Sequence, residues 1–310
     1  MKIKVLGSAA GGGFPQWNCN CANCSGLREG KVHAQARTQT QIAFSPDDQV
    51  WFLVCASPDL GTQIVSCPEL APDQSKGAGS PIGGVFLPSA EVDSVMGLLH
   101  LREFQSFFVF ASSPVQHIVN SENRIFNVLA RAEPPVQWRT LSSKSRLGCH
   151  LGEHGGTPAF SCTTVPLGGA YPDYVSDEFR RSAPTDDAVV GFLFEQGKKS
   201  IFVAPSLPGR DAGWQRFASS ANVAVIDGTF WSDDELARTG RSKKTAGEMG
   251  HLPLSGSDGL LAQFPKDSRA RKILIHINNT NPILDESSAE HRAVLDAGFE
   301  IAYDGLSICL

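Results

Sequence analysis

The segment Val85–Arg102, VFLPSAEVDSVMGLLHLR, joins an apolar run of strand length to a helical pattern through a short turn. Its first residues, Val85–Leu87, are apolar, and the later apolar residues recur every three to four positions, as in an amphipathic helix. Asp93 stands at the junction between the two. Because α/β proteins place functional groups at strand ends, where exposed backbone is held by a rigid sheet, this pattern predicts an α/β fold with a site at Asp93.

Two later apolar strands also end in a residue that can ligate a metal. VAVIDGTFW places Asp227 at a strand end, and KILIHINNTNPIL places His276 at another. Each residue also has a structural explanation, because Asp93 could cap its helix, Asp227 could begin a turn and His276 could be a hydrogen-bonded core residue. Taken together, the three predict one metal centre built by the convergence of distant strands.

Composition places the chain among ordinary globular proteins. Its 310 residues are 41% hydrophobic and 19% charged, and no linker or repeat divides them, so we expect one domain over 1–310. A net charge of −5 with scattered Lys and Arg argues against nucleic-acid binding and leaves a small molecule or another protein as the expected partner. The sequence leaves homo-oligomer formation open. No apolar run is long enough for a membrane span, and no secretory signal opens the chain, so we expect a cytoplasmic protein.

A cluster of cysteines lies near the start of the chain, at Cys19, Cys21 and Cys24. Thiolates with this C-x-C-x-x-C spacing can reach one tetrahedral zinc from a single turn, whereas clustered thiols without a metal would be prone to oxidation. The spacing therefore predicts a structural zinc knuckle over about 17–26. A fourth ligand must come from elsewhere, and the sequence does not identify it.

Other polar residues are candidates for roles beside the metal. His251, in EMGHLP, lies at a backbone bend and could act as an acid or base, or cap the following helix. Asn279 and Thr280 follow His276 in a strand-exit loop and are predicted to bind substrate. Asp59 follows another strand and could orient neighbouring groups or cap a helix. The remaining candidates, which are expected to be surface or core residues, are His117, His150 and His154.

Several strands can be predicted from apolar runs and turn residues. A first strand is predicted at Lys2–Leu6. The turn Ser45–Asp48 predicts a strand pair on either side of it, and Gly197 predicts a hairpin between Ala188–Phe194 and Ser200–Ala204. Further strands are predicted at the ranges Phe107–Phe110, Ile118–Val119, Val136–Trp138 and, as the last of the chain, Glu300–Asp304.

These motifs together carry a resemblance to known proteins. Ligands at strand ends, in the order Asp59, Asp93, Asp227 and His276, resemble the metallo-β-lactamase fold. More narrowly, the whole chain resembles the pyrroloquinoline quinone (PQQ) biosynthesis protein B family. The segments that carry this resemblance are GSAAGGGFPQWNCNCANC, ASPDL, DGTFW, EMGHLP, HINNTNPIL and the final DGLSICL.

The resemblance implies a four-layered αββα sandwich with a structural zinc at the cysteines. In hydrolytic relatives the motif H-x-H-x-D-H follows the central strand, and it aligns here with Ser89–Ser94. The histidines of the first metal position are absent, so neither a β-lactamase nor a binuclear zinc hydrolase is expected. Asp93, Asp227 and His276 of the second position are present, whereas the last histidine of the motif, usual in the PQQ family, is Ser94 here.

The resemblance also implies a function in PQQ biosynthesis. It suggests that Asp93, Asp227 and His276 hold Fe(II) and that the protein uses oxygen to hydroxylate the tyrosine ring of the Glu-Tyr-derived precursor. Asp93 and His251 would then be the catalytic residues. The alternative is a non-catalytic carrier that helps to transport PQQ or its precursor to the periplasm. Oxygen-dependent turnover with a bound metal separates these two hypotheses.

Overall fold

The computed structural model of the chain describes residues 1–72, 79–103, 105–131, 133, 135–142, 146–149, 159–209 and 213–310. His150 and His154 lie outside the described residues. The strands are β1 (Lys2–Gly7), β2 (Gln41–Ser45), β3 (Trp51–Val54), β4 (Ile82–Phe86), β5 (Phe108–Ser112), β6 (Gln137–Leu141), β7 (Arg146–Cys149), β8 (Phe160–Gly168), β9 (Val189–Gln196), β10 (Lys199–Ala204), β11 (Val223–Asp227), β12 (Arg271–Ile275), β13 (Phe299–Ile301) and β14 (Ser307–Cys309).

The helices are short. The α-helices are α1 (Ala22–Arg28), α2 (Leu60–Val65), α3 (Val92–Val95), α4 (Ser113–His117), α5 (Asp177–Ser182), α6 (Trp214–Ser220), α7 (Glu235–Arg238), α8 (Leu260–Gln263) and α9 (Ala289–Asp296). A π-helical turn covers Ile118–Glu122, and the 3₁₀ segments are Pro68–Leu70, Met96–Leu101, Arg124–Arg131, Gly247–Met249 and Pro282–Leu284. In the part of the chain that the structure describes, no helix has the length and apolar character needed to cross a membrane.

The strands form two seven-stranded sheets. The first sheet has the order β14-β1-β2-β3-β4-β5-β6, and the second has the order β13-β12-β11-β10-β9-β8-β7. Each sheet is parallel on one side, from β3 to β6 in the first and from β10 to β13 in the second. The parallel strands direct their carboxyl ends toward one edge, and β4, β11 and β12, which precede the predicted ligands, all belong to these parallel parts.

An aromatic core joins the two sheets face to face. Phe44 of the first sheet lies with its ring centroid 4.3 Å from that of Phe194 of the second, and Phe86 and Phe192 lie 5.5 Å apart. These side chains are almost fully buried and alternate along their strands with residues that face the helices. Such burial supplies most of the favourable free energy of folding, at roughly 25 cal/mol per Å² of apolar surface.

Helices cover the outer face of each sheet. Val95 of α3 and Val115 of α4 are buried with Val85 on the first sheet, and Trp214 of α6 is buried with Leu274 on the second. The predicted αββα architecture is therefore confirmed. Most of the predicted strands are confirmed too, among them β1, the antiparallel pair β2 and β3, and the antiparallel pair β9 and β10.

Two strand predictions are wrong. Ile118–Val119 belongs to the π-helical turn that continues α4, because both side chains are buried on the helical side of the first sheet. The predicted last strand ends at Ile301, and β14 follows it and pairs with β1 in the other sheet. The chain thus leaves the second sheet after β13 and closes the edge of the first.

Candidate metal centre

A cavity of about 600 Å³ opens at the carboxyl ends of the parallel strands. Asp93, His251 and His276 lie on its wall, together with Tyr171 and Lys244 from loops above the sheets. The loop after β8 contributes its residues 169–172 to this wall. The cavity is large enough for a small molecule of drug-like size.

Asp93 and His276 join the two sheets at the floor of this cavity. Asp93 follows β4 and lies in the first turn of α3, and its Oδ2 is 3.0 Å from His276 Nε2. Burial opposes ionisation of Asp93, but the hydrogen bond and charge of His276 outweigh it and lower the pKa of Asp93. Burial likewise opposes the charge of His276, but the contact with Asp93 raises the pKa of His276. An ionised pair is therefore favoured.

Asp227 lies fully buried behind His251. Its Oδ2 is 2.8 Å from His251 Nδ1 and also accepts a hydrogen bond from Leu207 N at 2.8 Å. Its Oδ1 accepts a hydrogen bond from Thr229 N at 2.9 Å. The turn that the sequence offered as an alternative explanation for Asp227 is therefore present as well. Burial opposes ionisation of Asp227, but the charge and hydrogen bond of His251 lower its pKa.

Thr229 links the carboxylate to both imidazoles. Its Oγ1 donates to Asp227 Oδ1 at 2.6 Å and lies 2.8 Å from His276 Nδ1 and 3.1 Å from His251 Nδ1. The two imidazole rings stack with centroids 5.2 Å apart. Such contacts to one ring nitrogen fix the orientation of a histidine whose other nitrogen faces a metal or a substrate. No sequence motif pointed to Thr229.

These side chains fit a single hard or borderline metal ion. Donor atoms of Asp227, His251 and His276 lie within 4.8 Å of one another, and Asp93 contacts the same imidazole of His276. His276 has a left-handed backbone, with φ +61°, which is uncommon for a residue with a side chain and directs its ring toward Asp93. Carboxylate and imidazole donors suit Fe(II), but they also suit zinc and manganese.

Ser94 is a buried residue on the cavity wall. Its hydroxyl lies 3.4 Å from that of Ser89 and 4.0 Å from the Sγ of Cys55. The structure therefore brings two hydroxyls into contact at the positions that align with motif histidines of hydrolytic relatives. A neutral hydroxyl is a much poorer ligand than imidazole, so this side of the cavity offers little to a second metal.

The three cysteines form a second candidate metal site. Their sulfur atoms lie within 4.8 Å of one another at the start of α1, which fits a tetrahedral zinc ion. Asn279 Nδ2 lies 3.0 Å from Cys19 Sγ, 3.6 Å from Cys21 Sγ and 3.3 Å from Cys24 Sγ. The amide of Asn279 therefore packs against the cysteines.

The strand-exit loop differs from expectation at the two predicted substrate-binding residues. Asn279 is buried against the cysteines, and Thr280 Oγ1 donates to Glu235 Oε1. Neither residue is part of the cavity wall, whereas the preceding Asn278 is. Asn279 and Thr280 are the central residues of a turn closed by a hydrogen bond from Asn281 N to Asn278 O at 2.9 Å, and their side chains contact the cysteines and Glu235 instead of the cavity.

Two further predicted residues have clear positions. The Asp59 carboxylate accepts hydrogen bonds from Gln39 N at 2.8 Å and Nε2 at 3.1 Å and makes no cap bond to α2. Gln39 lies on the cavity wall, so Asp59 orients a residue that borders the cavity. This is one of the two roles that the sequence suggested for Asp59. His117 is exposed and stacks on Phe179 at 4.8 Å, in agreement with its expected surface position.

Comparison with known proteins agrees with this geometry. A β-lactamase superfamily domain matches residues 50–277, which places the chain in that superfamily. Over its whole length the chain is 39% identical to the coenzyme PQQ synthesis protein B of Azoarcus sp. strain BH72, with 100% of both covered. The chain therefore belongs to the coenzyme PQQ synthesis protein B family.

Two solved structures extend the comparison. Zn²⁺-bound PqqB from Methylobacterium extorquens has a TM-score of 0.89 at 36% identity, with 100% of both chains covered. A diphosphatase of the PhnP family has a TM-score of 0.63 at 14% identity, with 100% of this chain and 97% of that chain covered. The second likeness shows the shared fold alone.

Proposed function

We propose that the protein acts in PQQ biosynthesis as an iron- and oxygen-dependent hydroxylase of the tyrosine ring in the Glu-Tyr-derived precursor. Membership of a family named for coenzyme PQQ synthesis supports the pathway. The observation that carries the proposal is the clustering of donor atoms of Asp227, His251 and His276 within 4.8 Å of one another, with Asp93 in contact with His276 at the floor of an open cavity. Oxygen and nitrogen donors of this kind support a mononuclear centre.

The positions of Ser89 and Ser94 argue for one metal instead of two. Both hydroxyls lie where hydrolytic relatives align motif histidines, and the two contact each other at 3.4 Å. In hydrolases of this superfamily, histidines aligned with Ser89 and Glu91 hold the first metal, and the histidine aligned with Ser94 belongs to the second. The remaining donors, Asp93, Asp227 and His276, would hold Fe(II), and the bound ion would supply the activation of oxygen.

The chain's own residues would bind and orient the precursor and move a proton. His251 Nδ1 is held 2.8 Å from the Asp227 carboxylate, so a neutral ring with its proton on Nδ1 presents Nε2 as an acceptor. Because His251 lies on the cavity wall, it would accept the proton of the substrate phenol. Lys244, which also lies on the wall, would pair with a precursor carboxylate.

The balance of the reaction defines what must be added to the assay. One oxygen atom enters a ring C–H bond and converts it to C–OH. The second oxygen atom leaves as water, which consumes two protons and two electrons from an external reductant such as ascorbate. The protein would be loaded with Fe(II) under anaerobic conditions and given precursor, ascorbate and ¹⁸O₂. Mass spectrometry is expected to find one ¹⁸O atom in the product.

A variant at Ser94 tests whether the missing motif histidine limits iron binding. Ser94→His is expected to raise iron affinity about tenfold or more if the ring reaches the other donors, with Ser94→Ala as the matched control. Turnover by either the wild-type protein or the histidine variant supports the hydroxylase. If both bind the precursor or PQQ tightly and neither inserts oxygen, the hydroxylase proposal is wrong and the carrier hypothesis takes its place.

A further inference from the structure

Three polar side chains form a hydrogen-bonded chain behind the cavity wall. Glu235 in α7 and Thr280 are buried, and Thr280 Oγ1 donates to Glu235 Oε1. Thr280 Oγ1 also accepts a hydrogen bond from Asn278 Nδ2 at 2.6 Å. Asn278 is half-buried and lies on the cavity wall. The chain therefore connects a buried carboxyl group to the cavity, and none of the three side chains is a candidate metal ligand.

The carboxyl group fixes the direction of these hydrogen bonds. Ionised Glu235 can only accept, so the hydroxyl of Thr280 uses its proton for the carboxylate and offers a lone pair to Asn278. Burial raises the pKa of Glu235 to about 7, although hydrogen bonds from groups that include the Asn278 side chain oppose this rise. The opposite orientation of the Asn278 amide would place its oxygen against acceptors. Nδ2 is thus held toward Glu235, and Oδ1 is the end of the amide that is available to the cavity.

The backbone of Asn278 is also held in place. Asn278 N donates to Thr229 O at 3.1 Å, and Asn278 O accepts from Asn281 N at 2.9 Å. Thr229 is the residue whose hydroxyl contacts both imidazoles of the candidate metal centre. Oδ1 of Asn278 is therefore a preorganised acceptor at a fixed position beside that centre, and a ligand that binds to it need not order the side chain first.

We propose that Oδ1 of Asn278 binds a protonated amine of the substrate, and that Glu235 is a positioning residue that acts through Thr280. The inference rests on the proposed function, because a precursor derived from two amino acids offers an amine as well as carboxylates. It adds a determinant of specificity to that function. The amine would bind at Asn278, whereas a carboxylate would pair with Lys244 elsewhere on the wall.

The charge of the cavity favours an ammonium group as the ligand of this acceptor. The acidic residues on the wall are Glu91, Asp93, Asp173 and Glu248, whereas Lys244 is the one lysine or arginine there among the described residues. A carboxylate at Asn278 would face the lone pairs of Oδ1 in a negative environment, and an ammonium group would donate to the same atom. The surroundings of Asn278 therefore select a cationic donor.

The experiment measures the affinity of the full-length protein for two probes by titration calorimetry. The probes are L-tyrosine and desaminotyrosine, which keeps the phenol and the carboxylate and lacks the amine. The titrations are made at about pH 8, where Glu235 is ionised and the amine of tyrosine is protonated. The wild type is expected to bind tyrosine about tenfold more tightly, as for a hydrogen bond to a charged group.

Two variants interrupt the chain at its ends. Asn278→Ala removes the acceptor and should reduce the preference for tyrosine to less than about twofold. Glu235→Gln keeps the shape of the side chain, and because Oε2 of Glu235 accepts from Trp231 N at 2.7 Å, the new NH₂ group would face Thr280. The hydrogen bonds then reverse and turn Nδ2 of Asn278 toward the cavity. The preference should fall as far as in Asn278→Ala.

A matched control removes the same charge from the same helix end. Asp234 is exposed, lies next to Glu235 and is part of neither the chain nor the cavity wall. Asp234→Asn should therefore keep the preference for tyrosine within about twofold of that of the wild type. If Asp234→Asn loses as much of the preference as Glu235→Gln, net charge selects the amine and the positioning role of Glu235 is wrong.

The ratio of the two affinities separates a selective contact from general damage to the site. A partly unfolded variant loses binding sites for both probes and leaves the ratio of their dissociation constants unchanged. The proposal is wrong if the wild type does not prefer tyrosine, or if Asn278→Ala retains the preference. Because binding needs no oxygen and no turnover, a protein that prefers tyrosine and inserts no oxygen would refute the hydroxylase alone.

Discussion

His276 Nε2 lies 3.0 Å from Asp93 Oδ2, although the two residues are 183 positions apart in the chain. Asp93 follows β4 in the first sheet, and His276 follows β12 in the second. The pair therefore connects the two sheets at the floor of the cavity. The same contact therefore contributes to the stability of the sandwich and to the geometry of the candidate metal site.

The first prediction concerns the pH dependence of this contact in chelator-treated protein. The lowered pKa of Asp93 contributes stability that is present above the ordinary value of 3.8 and is lost as the pH falls through the lowered pKa. The raised pKa of His276 contributes stability that is fully present below the ordinary value of 6.5 and is lost as the pH rises through the raised pKa. The pair is thus most stabilising between these two ordinary values.

Asp93→Asn should therefore destabilise the chelator-treated protein most within that window, by on the order of 1–3 kcal/mol. The difference in unfolding free energy between wild type and variant should shrink as the pH rises from 6.5 through the raised pKa of His276, because His276 then loses its charge. Denaturant unfolding at a series of pH values across this range measures it. A difference that stays constant or grows with pH would show that the ion pair does not stabilise the fold.

The second prediction concerns the cysteines. Cys21→Ser should lower zinc content well below one ion per chain and lower the melting temperature by several degrees, because structural zinc contributes directly to folding. The matched control is Cys309→Ser, since Cys309 is an exposed cysteine in β14. Elemental analysis and calorimetry of both variants provide the measurement. If wild-type protein that was expressed with added zinc contains no zinc, the structural-zinc assignment is wrong.

The sandwich could be predicted because several of its central strands are largely buried. Val223–Asp227 and the last three residues of Arg271–Ile275 lie in the parallel part of the second sheet, where both faces are covered, so their apolar runs are nearly continuous. The candidate ligands Asp227 and His276 could be singled out because they stand at the ends of those runs. Ile118–Val119 shows the limit of this reasoning, since two buried β-branched residues fit a helical turn as well as a strand.

The direction of side chains in loops could not be predicted in the same way. Asn278 and Asn279 are identical neighbours, yet the first lies on the cavity wall and the second contacts the cysteines. Asn279 is a central residue of the turn closed by Asn281 N and Asn278 O, and the contact of its side chain with the cysteines depends on tertiary structure that the local sequence does not show. The role of Thr229 as a link between Asp227 and the imidazoles likewise depends on tertiary contacts.

The third prediction separates the two metal sites. Asp227→Ala should abolish iron binding at the cavity and leave zinc at the cysteines, because Asp227 is a candidate ligand of the cavity site and is not near the cysteine site. His276→Gln should have the same effect and guards against misfolding of the alanine variant, which loses the buried carboxylate that accepts a hydrogen bond from Leu207 N. His117→Ala, at an exposed histidine, is the matched control. If both metals persist in Asp227→Ala and in His276→Gln, the assignment of the iron site is wrong.

The fourth prediction tests whether His251 acts as a base. If His251 accepts the phenol proton, His251→Gln should retain iron while turnover falls by about 10²–10⁴-fold and loses its dependence on pH near neutrality. If its imidazole is instead a metal ligand, the variant should lose iron affinity by about tenfold or more. Iron titration and the pH profile of turnover distinguish these outcomes. Loss of iron together with loss of turnover would contradict the base assignment.

The fifth prediction concerns recognition of the precursor, which carries several carboxylates. The acidic residues on the cavity wall are Glu91, Asp93, Asp173 and Glu248, and among the described residues Lys244 is the one lysine or arginine there. Arg180 and Arg181 are not part of the wall, and Arg180 pairs with Asp173 at 3.1 Å. A polycarboxylate would therefore depend on the metal and on Lys244 to offset the negative charge of the wall.

Lys244→Met should consequently raise the KM for the precursor about three- to tenfold and leave kcat nearly unchanged, because an exposed ion pair contributes binding energy of only about 1 kcal/mol. Lys243→Met removes the same charge from the neighbouring exposed position, which is not part of the wall, and should have a smaller effect. Binding of the precursor by calorimetry at low and high salt measures the difference even without turnover, since screening should reduce the contribution of Lys244. Equal effects of the two variants would mean that net charge, and not a contact from Lys244, attracts the precursor to the cavity.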